Sequence, residues 1–194
     1  YPQKFRKLLL NKAPAVIYGC GDNSLLDAGG LAIVGSRNVN NDLLGYAQNF
    51  GRLAALAGHN VISGGARGID SSAIHGALDV EGTACAVLAD GLAEKVLNKN
   101  FRNPIRENRL CLVSPYDPFS GFNVGNAMQR NKLVYALSDA ALIVNSDKGK
   151  GGTWNGAVEQ LKKYHFSRIY VRSSGDNQEA LLSLQELGAD KWPE

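Results

Sequence analysis

Short apolar runs alternate along this chain with longer segments in which apolar residues recur every three or four positions. The runs predict buried β-strands, and the longer segments predict amphipathic helices. We predict strands at residues 15–18, 31–34, 61–63, 83–88, 112–113, 140–144 and 168–171. We predict helices at residues 5–10, 42–57, 69–78, 104–110, 126–137, 153–164 and 178–187. Because the strands are apolar throughout and alternate with helices, we expect an α/β fold with a mainly parallel, doubly wound sheet in three layers.

Three loops that follow predicted strands carry residues suited to binding a ligand. They are Gly35–Arg37, Gly64–Gly68 and residues 146–153. Ligands of doubly wound sheets bind beyond the carboxyl ends of the strands, so we expect the three loops to meet at one edge. Between the first two loops, Asp42 is expected to N-cap the helix that Gly58 ends.

The segment Val61–Asp70 predicts a strand, a glycine-rich turn and a helix start. Glycines let the backbone approach a ligand closely, and free N–H groups at a helix start attract phosphate. Arg67 adds a positive charge whose planar donor fork suits phosphate oxygens, although an arginine that caps a neighbouring helix is the alternative. Asp70 is expected to be structural, as an N-cap or first-turn acid that orders the loop.

Arg37 follows a buried strand without the G-x-G-x-x-G pattern. The missing glycines argue against NAD, and the position at a strand end favours a ligand role over that of a surface arginine. Arg130 and Lys132 are two positions apart and cannot share a helix face, so one is expected to face the ligand and the other solvent. Asn131 is expected to bond the backbone of an adjacent loop.

Gly151 and Gly152 precede a second helix start, where Thr153 is expected to act as the N-cap, a role compatible with phosphate binding. Most aromatic side chains pack in the core, and stacking on nucleic-acid bases is the alternative. The candidates are Tyr116, Phe119, Phe122 and Trp154. We therefore predict a phosphate- or nucleic-acid-binding site formed by Ser36, Arg37, Gly64, Gly65, Ala66, Arg67, Gly68, Arg130, Asn131, Lys132, Gly151, Gly152 and Thr153.

Composition and charge narrow the function further. The formal net charge of +3 is a mild excess of positive charge. Two groups of cations lie close together in the sequence and give weak support for an anionic partner. They are Lys99, Arg102, Arg106 and Arg109, and Arg130, Lys132, Lys148 and Lys150. His75 has no evident acid partner, and no nucleophile elbow or H-E-x-x-H occurs, so we predict no catalytic residue, metal or cofactor. Three scattered cysteines indicate free thiols in a reducing cytoplasm, and no run is long enough to span a membrane.

Several motifs resemble the DNA-processing protein A (DprA/Smf) family. They are Ala32-Ile-Val-Gly-Ser-Arg37, Ser63-Gly-Gly-Ala-Arg-Gly-Ile-Asp70, Gly76-Ala-Leu78, and Arg130-Asn-Lys132 with Leu137-Ser-Asp-Ala140. The resemblance runs from Tyr1 to about Val171. It implies an extended Rossmann domain that binds single-stranded DNA at Arg37, the glycine loop, Arg130 and Lys132. It also implies delivery of the strand to the RecA recombinase, in natural transformation or recombination, and a divergent branch of the family could act in defence. We expect a homodimer.

The chain departs from the family pattern in three places, which indicates a divergent branch. The family histidine falls at Ile74, with His75 one place later; Lys150–Thr153 replaces R-S-G-S, and Val171–Gly175 replaces V-P-G. We expect residues 1–30 to be a lead-in segment packed on the core and residues 31–194 to be the Rossmann-like domain. Flanking domains are expected to be absent or to lie outside this chain.

Two other functions remain as alternatives. Met128-Gln-Arg130 with Gly151-Gly-Thr153 is similar to the Lonely Guy nucleoside 5′-monophosphate phosphoribohydrolases. That reaction needs a glutamate three residues after the threonine, where this chain has Gly156, and Glu159 lies one helical turn further on. We therefore rank this enzyme below DNA binding. A nucleotide-sensing module is the third class, and it predicts tight mononucleotide binding without a preference for polymers.

Overall fold

The computed structural model describes residues 1–175 and 178–193. Within them, the strands are β1 (Tyr18–Gly21), β2 (Leu31–Val34), β3 (Val61–Ser63), β4 (Ala84–Val87), β5 (Leu110–Ser114), β6 (Ala140–Ile143), β7 (Arg168–Val171) and β8 (Asp190–Lys191). The α-helices are α1 (Gln3–Leu9), α2 (Asn41–Leu56), α3 (Ile69–Leu78), α4 (Leu92–Val96), α5 (Lys99–Arg106), α6 (Val124–Leu137), α7 (Gly151–Glu159) and α8 (Glu179–Glu186). Two 3-10 turns lie at Leu10–Lys12 and Asn23–Leu26, and a π-helical turn at Gln160–Tyr164 follows α7.

The strands form one sheet in the order β1-β5-β4-β3-β2-β6-β7-β8. Neighbouring strands are parallel except β1, which runs antiparallel to β5. The connections change direction at β2, which pairs with β3 on one side and with β6 on the other. A crevice at such a switch point is where ligands of open α/β sheets bind. The predicted α/β class with a mainly parallel, Rossmann-like sheet is confirmed.

Alternate residues of the strands face two hydrophobic cores on opposite sides of the sheet. Ala32 of β2 lies in the core that also contains Phe5 of α1 and residues of α6, α7 and α8. The next residue, Ile33, lies in the second core, which residues of α2, α3, α4 and α5 complete. Burial on both faces is the physical reason that the strands read as continuous apolar runs, and it gives the predicted three layers.

Helices α2 and α3 lie backbone to backbone at two glycines. A Cβ atom added at Gly76 of α3 would overlap the carbonyl oxygen of Gln48 in α2, and one added at Gly51 would overlap that of Ala73. Only residues without a side chain allow this approach. The two helices that follow the first two ligand-edge loops are therefore held close together by glycine.

Two helix starts differ from the sequence prediction. Asn40, not Asp42, is the N-cap of α2, and its Oδ1 accepts a hydrogen bond from Leu43 N at 3.1 Å. Asp42 lies in the first turn, where a carboxylate favours the positive end of the helix. The predicted helix at 104–110 is also wrong, because α5 contains Pro104 in its interior, buried with Phe101 against the core. Tertiary burial outweighs the preference of proline for the first turn.

The first strand also lies later than predicted. β1 covers Tyr18–Gly21, where the sequence indicated a strand at 15–18. The antiparallel register with β5, which pairs Tyr18 with Ser114, sets its position. α4 and the two-residue β8 were not predicted, since both are too short to show a period. α1 contacts α6, and β1 joins the sheet, while the division of the chain at residue 30 stays a prediction.

Asp139 ties the start of the chain to the sheet. Its carboxylate accepts hydrogen bonds from Lys4 Nζ and from Gly30 N, both at 2.7 Å. Partial burial raises the pKa of Asp139, but the hydrogen bonds from Lys4 and Gly30 outweigh burial, so the pKa lies below its ordinary value. A carboxyl group whose pKa is lower in the folded state stabilises the fold above its unfolded-state pKa.

We expect the parent protein to lose part of its stability as the pH falls from about 5 through the folded-state pKa of Asp139, whose unfolded value is about 3.9. In Asp139→Asn, this contribution is already absent at neutral pH. The free energy of unfolding should therefore be lower than that of the parent near pH 7, and the difference should shrink towards pH 2. Urea denaturation across this pH series measures both. A difference that stays constant down to the lowest pH contradicts the assignment.

Candidate nucleic-acid interface

The three loops predicted to carry the ligand meet at the carboxyl edge of the sheet. They enclose a cavity of about 460 Å³, called here the main cavity, together with one side of α6 from Val124 to Tyr135 and the start of α7. Among the residues predicted for the site, the structure brings to this cavity Ser36, Arg37, Gly64, Ala66, Arg130, Asn131, Gly151, Gly152 and Thr153. The remaining predicted residues lie elsewhere, as described below.

Arg130 forms the floor of the main cavity. It is only 3% exposed, and its Nη1 donates hydrogen bonds to the carbonyl oxygens of Gly64 and Val87. Its guanidinium therefore ties α6 to the loop after β3 and to the last residue of β4. Because two carbonyl groups occupy Nη1, the structure gives Arg130 a scaffolding position below the ligand edge, in addition to its place in the lining.

Asp70 lies beside this arginine and is likewise buried. Burial raises the pKa of its carboxyl group, while the charge of Arg130 and hydrogen bonds involving Ala66, Ser63 and Gly35 act in the opposite direction. Asp70 is in the first turn of α3, whose N-cap is Gly68. It is therefore the structural first-turn acid of the prediction, with Arg130 as its buried counter-charge.

Two exposed arginines stand above the floor. The Arg37 guanidinium carbon lies 4.2 Å from the ring centre of Phe122, and Arg67 Nη2 donates to Asn38 Oδ1 at 2.7 Å.

Two shallower grooves lie next to the main cavity. The Arg67 groove is lined by Arg37, Asn38, Val39, Asn40, Leu44, Arg67, Gly68, Ser71 and Ser72. The Lys95 groove is lined by Arg37, Gly64, Gly65, Ala66, Arg67, Ala89, Asp90, Lys95, Phe122 and Arg130. Arg37 alone among the cations lines the main cavity and both grooves.

The start of α7 lies on the opposite wall. Lys150 is its N-cap, and the Lys150 side chain makes no capping hydrogen bond to the first-turn N–H groups. Thr153 is the third residue of the helix, and its predicted N-cap role is wrong. Asn131 Nδ2 donates to the Gly152 carbonyl at 2.9 Å, which confirms the predicted link from α6 to this loop.

Ser146 is a cavity residue that the sequence prediction missed. Its side chain is 8% exposed and lines the main cavity, and its Oγ has no hydrogen-bond partner among the described residues. A buried hydroxyl without a partner is costly, and one beside a cavity is suited to a ligand oxygen. The polar loop at 146–153 was the only signal in the sequence for this residue.

Lys132 is not brought to the cavity. Its Nζ donates to Gln129 Oε1 at 2.7 Å, and it lines neither the main cavity nor the two grooves. As predicted, the two side chains point in different directions: Arg130 lines the main cavity and Lys132 does not. Gly65 and Arg67 lie at the Lys95 groove, and Gly68 lies at the Arg67 groove.

The aromatic candidates separate into core and surface. Trp154 packs against the first core, and the Tyr116 hydroxyl donates to the Asn126 carbonyl at 2.8 Å. Phe119 and Phe122 are 87% and 48% exposed. Only Phe122 also lines the main cavity, so it is the ring placed for contact with a bound base.

Neither position considered for the acid of a phosphoribohydrolase brings a carboxylate to the main cavity. A Cβ added at Gly156 would lie 3.2 Å from Tyr135 Cε2, and Glu159, one turn later, is exposed and outside the cavity lining. His75 lies beside the Phe101 ring, with 6.0 Å between the ring centres. In the described part of the chain, no group of residues could hold a metal ion, the three cysteines are free, and no helix is long and apolar enough to cross a membrane.

The doubly wound sheet and the crevice at its switch point define the class of Rossmann-like α/β binding proteins. Comparison with known sequences identifies the family. The family described as DNA recombination-mediator protein A matches residues 1–170, so the chain belongs to this DNA-processing, DprA/Smf family. The family's description names a DNA recombination mediator, which agrees with the DNA-processing class predicted from the sequence.

The curated relatives are longer than this chain. Protein Smf of Escherichia coli strain K12 is 32% identical over 162 residues, which are 76% of this chain and 40% of that protein. Protein Smf of Synechocystis is 30% identical over 165 residues, 83% of this chain and 41% of that protein. The chain thus spans about two fifths of the length of these relatives.

Two solved structures have a similar fold. DNA processing protein A from Helicobacter pylori, described with a single-stranded DNA binding mode, superposes with a TM-score of 0.80 at 27% identity and covers 98% of this chain and 86% of that one. DNA processing protein A from Streptococcus pneumoniae has a TM-score of 0.80 at 19% identity, covering 99% and 67%. The second likeness supports the Rossmann-like fold alone.

Proposed function

We propose that this chain binds single-stranded DNA through its backbone phosphates at the main cavity. The position of Arg37 carries the proposal, because this exposed guanidinium borders the main cavity and both adjoining grooves. A planar cation at that junction can contact successive phosphates of one strand. The strand-binding relative from Helicobacter pylori supports the same ligand class.

Cations outnumber acids in the lining of the main cavity, which favours an anion. The cations are Arg37, Arg130 and Lys150, and the acids are Asp147 and Asp70, whose buried counter-charge is Arg130. Arg37 and Arg67 are exposed, so both can turn a guanidinium towards phosphate oxygens. The uncapped N–H groups of α7 add donors on the far wall.

The proposed contacts give little sequence preference. Guanidinium and backbone N–H donors recognise phosphate, which is the same in every nucleotide. The exposed ring of Phe122 offers a face on which any base can stack. No helix of the site has the side chains of a base-reading helix, so we expect strands of different sequence to bind alike.

Arg37→Ala tests the proposal directly. We expect single-stranded DNA to bind about ten- to a hundredfold more weakly, since a hydrogen-bonded charge contact contributes about 1.5–3 kcal/mol. The slope of log affinity against log salt should flatten by roughly 0.7, the value of one phosphate contact on a single strand. Arg67→Ala should act in the same direction. Fluorescence anisotropy with single-stranded, duplex and mononucleotide ligands at two salt concentrations measures these effects.

Lys132→Ala is the matched control, because it removes one positive charge from α6 outside the cavity. It should bind single-stranded DNA like the parent protein. If folded Arg37→Ala binds with the parent affinity and salt slope, the phosphate site is misplaced. If mononucleotides bind as tightly as strands, the chain is a nucleotide-binding module instead.

Three further expectations from the sequence stay predictions. These are delivery of the strand to a RecA-type recombinase, pairing of two copies, and a cytoplasmic location. We propose the first two for this chain as well. Strand exchange by RecA with and without the protein checks delivery, and sedimentation over a range of concentrations checks pairing, which would join two cavities and increase avidity.

A further inference from the structure

The exposed face of α5 carries a row of cations that the main cavity does not use. Lys99, Arg102 and Arg106 are all exposed, and their spacing of three and four residues places them on one side of the helix. The opposite side buries Phe101 and Pro104 in the core. Among the described residues, none of these three cations forms an ion pair. We call Lys99, Arg102 and Arg106 the α5 row.

Little in the surrounding sequence compensates the charge of the row. The segment from Lys95 to Arg106 contains four cations and no acidic residue, and it is bordered by Glu94 and Glu107. Lys95 pairs with Asp90 at 3.7 Å, whereas the three cations of the row form no ion pair among the described residues. Arg109, which lies next in the sequence, is different, because its guanidinium bonds Glu107 and the carbonyl oxygen of Leu78. The row is therefore a positive surface rather than part of an ion-pair network on the helix.

The row continues from the predicted DNA site. Lys95 of α4 lines the Lys95 groove together with Arg37 and Arg67. α4 contacts α5, and both helices pack over β5 and β1. From Lys99 to Arg106 the helix rises by about 10 Å. A strand that leaves the groove past Lys95 thus meets further cations on α5.

We propose that the α5 row binds the phosphates of single-stranded DNA that extends beyond the main cavity, so that long strands bind more tightly than short ones. This inference rests on the proposed function, because the strand must first occupy the cavity. Long arginine and lysine side chains at an exposed helix face can follow a flexible backbone without fixing its sequence. Electrostatic attraction of this kind depends strongly on salt.

The test compares the parent protein with the triple variant Lys99→Gln, Arg102→Gln and Arg106→Gln. Glutamine keeps the helix propensity and removes the charge. Oligothymidylates of about four and about twenty nucleotides bracket the range of strand lengths that compact domains bind. Three lost phosphate contacts flatten the salt slope by roughly 2, so between about 50 and 200 mM salt the long-strand affinity of the parent should fall roughly 16-fold more than that of the variant.

The control is the triple variant Lys7→Gln, Lys162→Gln and Lys163→Gln. It makes the same change in net charge with exposed residues of α1 and the π-helical turn, whose neighbours Phe5 and Leu161 pack in the core on the other face of the sheet. We expect it to bind both lengths like the parent. Circular dichroism and thermal unfolding establish that all three proteins are folded.

The outcomes separate this inference from the proposed function. If the α5 variant loses affinity for the long strand but not for the short one, and the control loses neither, the α5 row binds the extended strand as proposed. Equal binding of the long strand by parent and α5 variant overturns the track and leaves the cavity proposal intact. Equal weakening for short and long strands also overturns it, as does the same loss in the control. If the parent binds neither strand, the proposed function itself is wrong.

Discussion

Replacement of Arg130 by methionine is expected to lower the free energy of unfolding by about 3–5 kcal/mol and to abolish strand binding. The substitution removes the two hydrogen bonds to the carbonyl oxygens of Gly64 and Val87. It also leaves the buried carboxyl group of Asp70 without its counter-charge. The loop after β3 then loses its fixed position, and the cavity loses its floor. Chemical denaturation and anisotropy measure the two effects on the same preparation.

Lys132→Met provides the control for this prediction. It replaces a cation by methionine two residues later on α6, where, within the described part of the chain, the amine bonds the side chain of Gln129 alone. Lys132 is half-buried at the surface, and surface substitutions away from buried contacts change stability by about 0.5 kcal/mol or less. If Arg130→Met is as stable as Lys132→Met, the buried arginine is not the support of the loop.

Substitution of Gly76 by alanine should destabilise the protein by about 3 kcal/mol, and valine there should cost more. The added Cβ overlaps the carbonyl oxygen of Gln48, which belongs to the α2 backbone and cannot rotate away. The two helices must separate, and the core between them and the sheet opens. Thermal unfolding and urea denaturation give the change in stability directly.

Gly45→Ala is the matched control on α2. This glycine is exposed in the helix, and an added Cβ meets nothing within 4 Å. Alanine should therefore stabilise the protein by about 0.5–1 kcal/mol, through its higher helix propensity. If the two substitutions have effects of the same sign, the close approach of α2 and α3 is not what constrains Gly76.

The parts of the fold that local physics determines could be predicted from the sequence. β2 and β3 lie at the predicted residues because each is a short apolar run closed by glycine. β1 was displaced because its position depends on pairing with β5, about ninety residues away along the chain. α5 begins earlier than predicted, because a proline favours the first turn of a helix, whereas here burial beside Phe101 decides the position of Pro104.

The sequence also predicted part of the candidate site, but not its long-range contacts. Strand–loop–helix order was enough to indicate that three distant loops share one edge, and the structure brings them together. Spacing on α6 established that Arg130 and Lys132 face different ways, but could not say which one points inward. The pairing of Arg130 with Asp70 joins residues sixty positions apart, and no local pattern in the sequence indicates such a contact.

The Arg130 hydrogen bonds also determine at which stage of folding the binding site forms. They join α6 to the carboxyl ends of β3 and β4, segments that are 66 and 43 residues away in the sequence. A partly folded chain in which α6 has not docked lacks the floor of the cavity. Ligand affinity is therefore a property of the completely assembled domain, and a bound strand should slow amide hydrogen exchange throughout the sheet rather than only in the loops that it touches.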